Sequence, residues 1–236
     1  EEYHKFCNDN AYWLDNYVSF MALKSANENK VWNEWTNNDN PDNKVCDFHR
    51  FIQFLFSKQW FALKEYANKK GIGIIGDIPI YVALDSADVW SQPELFQLDK
   101  NMNPKAVAGC PPDAFAEDGQ LWGNPLYRWD VMAKDGYAWW LRRLGAAGKL
   151  YDVIRIDHFR GFDEYYAIPY GDSTAKNGHW KPGPGMDLFT TIENKLGKLP
   201  IIAEDLGFLT DSVKQLLAAT GFPGMKVLEF AFDSRD

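Results

Sequence analysis

The sequence contains no run of about 18 apolar residues, the length a membrane-spanning helix needs. It opens on Glu1, Glu2, Tyr3, His4 and Lys5, with no apolar segment of a secretory signal. A starting Met is also missing, so the expectation is an internal piece of a longer chain, or trimmed ends. No Lys/Arg cluster exceeds two in a row, and the formal net charge is −8. That argues against nucleic acid or an anionic membrane as a partner. Cysteine is scarce. Cys7, Cys46 and Cys110 are odd in number and far apart, so neither a disulfide framework nor a zinc spacing can be built from them. A reducing cytoplasm fits that usage. No expected strand end presents a His pair or His-x-His, so no metal is expected and a metal-dependent hydrolase is disfavoured.

What remains is a chain rich enough for a large core. Its 236 residues are 46% apolar, which specifies a globular domain. Ten Trp, eleven Tyr and sixteen Phe are many. Most aromatics serve the core, but an excess of Trp also suits stacking on the flat faces of sugars.

The first third reads as helical. Asp9 is positioned to cap a helix through Trp13, Leu14, Tyr17, Phe20, Met21 and Lys24. Residues 37–44 read as a polar linker. A second helix is expected over about residues 49–70, closed by Gly71. The pattern then changes to a continuous apolar run over residues 72–82, expected as a buried parallel strand. Residues 84–130 lack clear periodicity and carry five prolines, which predicts a long functional loop. A helix over about residues 135–150 follows. Strands at 153–157, 200–204 and 225–232 then alternate with helices at 186–198 and 211–220, the last capped by Thr210 and closed by Gly221. Four strands with helical cover fit an open sheet or part of a barrel. Asp77, Asp157 and Glu204 decide for the barrel, because all fall near the C-terminal ends of successive strands, where (β/α)₈ barrels collect catalytic groups. The fold class expected is therefore α/β, an incomplete TIM-type barrel of about four β/α units.

One motif misleads. Gly71, Gly73 and Gly76 match G-x-G-x-x-G, but a helix precedes them and a strand runs through them, the reverse of a dinucleotide site. No cofactor is expected.

Arg155 and Asp157 stand two apart on one strand and so project to the same face, with Ile156 on the other. An adjacent guanidinium favours an ionised carboxylate, which a glycosidase nucleophile requires. A purely structural Arg–Asp pair would look the same. Glu204 ends the next strand after Ile201, Ile202 and Ala203. Apolar walls let a carboxyl keep its proton, the requirement of a general acid, although a Glu facing solvent or capping the following turn would also fit. Neighbouring barrel strands lie about 5 Å apart, compatible with the roughly 5–5.5 Å between the carboxylates of retaining glycosidases.

Five segments occur in order: GDIPIYV at 76–82, PPDAF at 111–115, GQLWGNPLY at 119–127, RIDHFRG at 155–161 and AEDLG at 203–207. Together they resemble the 4-α-glucanotransferases, the amylomaltases or disproportionating enzymes of glycoside hydrolase family 77, over about residues 71–232. Residues 1–70 are compatible with helical segments of that family but carry no sharp motif. The resemblance implies transfer of α-1,4-glucan segments between maltooligosaccharides or amylose, in starch, maltodextrin or glycogen metabolism. By position, Asp157 resembles the nucleophile and Glu204 the acid/base. Arg155 and His158 resemble residues holding the nucleophile and the sugar, and Asp77 an acidic partner on the preceding strand. Asp113, Glu117, Gln120 and Trp122 match a loop that binds glucose units, and Phe230 an aromatic contact on the acceptor side. Ordinary turn packing is the competing reading of the loop residues.

The sequence also departs from the family, whose third carboxylate stands in a His-Asp pair on a later strand. None of His4, His49, His158 and His179 is followed by Asp. The expectation is an inactive fragment, with residues 71–236 as the central part of the barrel, about strands three to six, and with self-association through uncovered edges. An α-amylase-type hydrolase and a non-catalytic glucan-binding fragment remain as alternatives.

Overall fold

The computed structural model describes residues 1–38, 40–114, 116–207 and 209–232, and of residues 230 and 231 the backbone alone. Two long helices come first, α1 (Glu2–Ala26) and α2 (Asn43–Lys69). Helix α1 starts before Asp9, which lies in its interior and pairs with Lys5 at 2.7 Å. Nothing between Glu2 and Asp9 breaks a helix, so the expected cap is overridden. Helix α2 begins six residues earlier than expected because the Asp42 side chain accepts the Lys44 N–H at 2.8 Å. Its first turn is then held by Cys46, buried with Leu14, Val18 and Ala22 of α1.

The centre of the molecule is a three-stranded parallel sheet in the order β1 (Ile75–Ile78), β4 (Val153–Ile156), β7 (Ile201–Ala203). Strand β1 is much shorter than the expected run over residues 72–82. Asp152 locks its start, accepting the Ile74 N–H with its side chain at 2.7 Å and giving its own N–H to the Ile74 carbonyl at 2.9 Å. Gly76 is required in β1, because a Cβ there would lie 2.0 Å from the Tyr151 ring. The alternation of β4 is strict. Ile154 and Ile156 are fully buried, in one core with Trp140 and Leu144 of α5 (Ala138–Leu150) and Leu188, Phe189 and Ile192 of α6 (Met186–Leu196). Arg155 projects from the opposite face. Helix α7 (Asp211–Thr220) follows β7, with Thr210 accepting the Val213 N–H and Gly221 in the left-handed region at φ 70°.

The stretch expected as one long loop is structured. It contains α3 (Ala87–Ser91), β2 (Ala106–Cys110), β3 (Gln120–Pro125) and the start of α4 (Trp129–Lys134). With β5 (Glu164–Pro169) and β6 (His179–Pro182) it forms an antiparallel sheet ordered β3-β2-β5-β6. The strand signal was weak because β2 reads Ala-Val-Ala-Gly-Cys and β3 carries Gly123, Asn124 and Pro125, residues typical of turns. A second correction concerns residues 225–232. They form no strand; Leu228–Phe232 is a 3₁₀ turn. The parallel strands therefore number three among the described residues, where four were expected.

Candidate active site

Asp77, Asp157 and Glu204 are brought together by register. Asp77 lies opposite Arg155 and Ile156 lies opposite Ala203, so Asp157 and Glu204 both stand one residue past the ends of neighbouring strands. The last sheet bonds confirm the alignment: the Asp157 N–H reaches the Ile78 carbonyl at 3.0 Å and the Glu204 N–H reaches the Ile156 carbonyl at 2.9 Å.

Arg155 ties two of the carboxylates. Its Nη1 lies 2.6 Å from Asp77 Oδ1 and its Nη2 lies 2.9 Å from Asp157 Oδ1. Its Nε donates to Met225 Sδ at 3.0 Å. Partial burial works against the guanidinium charge, but the carboxylates of Asp77 and Asp157 outweigh it and hold its pKa above the ordinary value. Met225 thus shapes the site although no sequence signal marked it.

Glu204 is fixed by backbone donors rather than apolar walls. Its Oε2 accepts the His158 N–H at 2.9 Å and its Oε1 accepts the Leu206 N–H at 2.8 Å. Its neighbour Asp205 is buried and accepts the Met225 N–H at 2.7 Å, which fixes the loop behind the site.

His158 adopts a left-handed backbone, φ 53° and ψ 50°. Burial, with Arg160 nearby, lowers its pKa to about 4, so the imidazole is neutral at pH 7. Its Nε2 is buried without a hydrogen-bond partner among the described residues. The Trp122 ring meets the His158 ring edge to face, with centroids 4.8 Å apart. Trp122 Nε1 donates to Gln120 Oε1 at 3.0 Å, and Asn124 Nδ2 donates to the Val82 carbonyl at 2.9 Å. These bonds seat β3 beside the carboxylates.

The other loop residues stand further out. Asp113 accepts the Ala116 N–H at 2.7 Å through its side chain, and Glu117 is exposed in the following turn. Cys110, not singled out from the sequence, lies between loop and sheet. Its burial pushes the thiol up to about 11, with Arg160 opposing and Asp113, Glu204 and Asp157 adding to the rise. The side chain of Phe230 lies outside the described residues, and the strand expected to carry it is absent. No group of three or more His, Cys, Asp and Glu among the described residues is arranged to hold a metal ion. A cavity of about 720 Å³ lies elsewhere, between Val153, Ile201 and the helices α6 and α7, at the opposite ends of the strands.

This arrangement offers a fixed carboxylate pair on adjacent strand ends, a guanidinium on one of them, and a partly exposed tryptophan against His158. Such a site suits chemistry at an acetal carbon between two carboxyl groups.

A family model described as 4-alpha-glucanotransferase matches residues 1–236. The 4-alpha-glucanotransferase of Streptococcus pneumoniae is 48% identical over 249 residues, covering 100% of this chain and 49% of that protein. The one from Clostridium butyricum is 49% identical, covering 98% of this chain and 50% of that protein. Among solved structures, an amylomaltase from Streptococcus agalactiae in complex with acarbose matches with a TM-score of 0.93 at 46% identity, over 98% of this chain and 49% of that one. The chain spans about half the length of the curated relatives it matches.

Proposed function

Because the chain belongs to the 4-alpha-glucanotransferase family, we propose that it carries the nucleophile and the acid/base of a retaining transfer between α-1,4-glucans. The observation that supports this most is the pairing of Asp157, held by Arg155, with Glu204 on the next strand end. In this reading an Asp157 carboxylate oxygen attacks the anomeric carbon. The bond to the leaving glucan oxygen breaks as Glu204 donates a proton to it. A covalent β-glycosyl ester on Asp157 results. Glu204, now a carboxylate, takes the proton of an acceptor sugar hydroxyl, whose oxygen attacks the same carbon and releases Asp157. Two inversions give net retention.

Arg155 positions Asp157 and neutralises part of the charge around it, with Asp77 fixing the guanidinium from β1. His158 and Trp122 border the sugar subsite. Asp113, Glu117, Gln120 and Trp122 belong to a segment that closes over the glucan and keeps water from the ester, which would favour transfer over hydrolysis. Phe230 is assigned to the acceptor side on the family resemblance alone. Substrates are maltooligosaccharides and amylose, with neither metal nor cofactor in the chemistry and a cytoplasmic setting consistent with three free thiols.

In this reading β1, β4 and β7 are consecutive staves of a (β/α)₈ barrel, residues 71–236 form its central part and residues 1–70 a preceding helical segment. The family's third carboxylate, in a His-Asp pair, has no counterpart among these residues, so the 236-residue piece by itself is expected to be inactive. Product analysis with maltotriose tests the reading. The full-length protein carrying this chain should yield glucose and longer oligosaccharides with no net gain of reducing ends. A steady gain of reducing ends would indicate hydrolysis and reject transfer, and turnover by the 236-residue piece would reject its dependence on a third carboxylate elsewhere.

A further inference from the structure

We infer that His158 is a positioning residue that sets Glu204 through its left-handed backbone, with Trp122 as the clamp that holds that backbone in place. The inference rests on the acid/base reading of Glu204 and extends it.

The argument begins with the direction of successive N–H groups. In a parallel strand they point alternately to the two neighbours. The Asp157 N–H goes to Ile78 beside β1, so an extended chain would send the next N–H toward β7 and the one after it back toward β1. The His158 N–H keeps that direction and reaches Glu204 Oε2 at 2.9 Å. The left-handed turn at His158 then breaks the alternation, because the Phe159 N–H, due back toward β1, reaches the Glu204 carbonyl at 3.0 Å instead. Two consecutive peptide donors thus converge on one residue, the first on its carboxylate and the second on its backbone carbonyl. One of these peptides is also the bond that joins His158 to Asp157. The two carboxylates are therefore linked by a single peptide unit.

A left-handed residue other than Gly costs free energy and persists only where its surroundings impose it. Here the imposing groups are visible. Trp122 stands against the imidazole at 4.8 Å between centroids, nearly perpendicular. Gly161 leaves the ring its space, since a Cβ there would lie 3.1 Å from His158 Cδ2. The Gly161 N–H closes the turn on the His158 carbonyl at 3.0 Å. Trp122 itself is partly exposed, at 36%. Any ligand that moves Trp122 therefore presses on the residue that orients Glu204.

The test compares backbone with ring at position 158, in the full-length protein carrying this chain. His158→Gly removes the ring and permits the left-handed turn; His158→Val removes the ring and resists the turn through its branched Cβ. The readout is the pH profile of kcat/KM for transfer from maltotriose, whose alkaline limb follows the proton of the acid/base. Expected is a limb in its original place for His158→Gly. For His158→Val the limb moves to higher pH and kcat falls on the order of 100-fold below that of the Gly variant. Trp122→Ala, which leaves residue 158 intact, should move the limb the same way, and it serves if His158→Val does not fold. Equal losses in the Gly and Val variants with unmoved limbs, or an unmoved limb in Trp122→Ala, would overturn the inference and leave only a sugar contact by the ring. Retention of transfer by Glu204→Gln would instead reject the acid/base reading beneath it.

Discussion

Arg155 sits between two carboxylates that both reach solvent, with side-chain exposures of 60% for Asp77 and 44% for Asp157. Exposed ion pairs contribute little to stability, so the reason for this pairing is geometric. Arg155→Lys keeps the charge and loses the two-armed reach. Expected is an unfolding free energy within about 1 kcal/mol of the original, with transfer reduced on the order of 100-fold because Asp157 is no longer aimed. Urea melts and maltotriose assays on the same preparation check both halves. His158 supplies a pH prediction. Its pKa of about 4 lies below the ordinary 6.5 because burial disfavours the charged ring. The unfolded chain therefore binds a proton that the folded chain refuses between those values. Stability should fall as pH drops from about 6.5 to about 4, by on the order of 3 kcal/mol, and this loss should level off below. Measuring the same melts on His158→Asn would show the slope diminished; an unchanged slope would assign it to other groups. At this scale the sequence was most informative. The spacing of Arg155 and Asp157 already implied a shared face, whereas the Met225 contact and the backbone donors on Glu204 depend on folding and left no mark.

Helix α7 shows an element whose ends were legible. Thr210 and Gly221 bracket it as read from the sequence, because caps are local chemistry. Thr210→Ala should destabilise the chain by about 1 kcal/mol. A thermal melt checks this, and no change would mean that the Ser212 bond to Asp163 at 2.7 Å carries the helix start alone. Strands β4 and β7 were legible for another reason, β7 as a short apolar run and β4 as β-branched residues on either side of Arg155. The antiparallel sheet was not. Strand β2 pairs with β5, far along the chain, and with its neighbour β3, and the small and turn-forming residues of β2 and β3 give no period of two. The stretch over residues 225–232 failed in the opposite direction. Its apolar run suggested a strand, but it folds into a 3₁₀ turn.

Over the whole molecule, apolar surface is unevenly covered. On α2, Phe48, Phe51, Ile52, Leu55, Leu63 and Tyr66 are between 38% and 63% exposed, at spacings that place most of them on one stripe. Ile75, on the same face of the sheet as Asp77, is 61% exposed. Strands β1 and β7 pair on one side only among the described residues. Contiguous patches of this kind mark contact surfaces, and we expect the isolated 236-residue chain to self-associate. Sedimentation velocity over a concentration series should show species heavier than 27.1 kDa, and a single monomeric species throughout would contradict this. The larger frame, in which three parallel strands stand within a barrel and present their carboxyl ends to a glucan, rests on the pairing of Asp157 with Glu204. Trapping tests that pairing most directly. In the full-length Glu204→Gln variant, α-maltosyl fluoride supplies a leaving group that needs no proton, while the absent base blocks release. Mass spectrometry of a digest should find a maltosyl ester on the peptide containing Asp157. An adduct on another carboxylate, or none, would contradict the account.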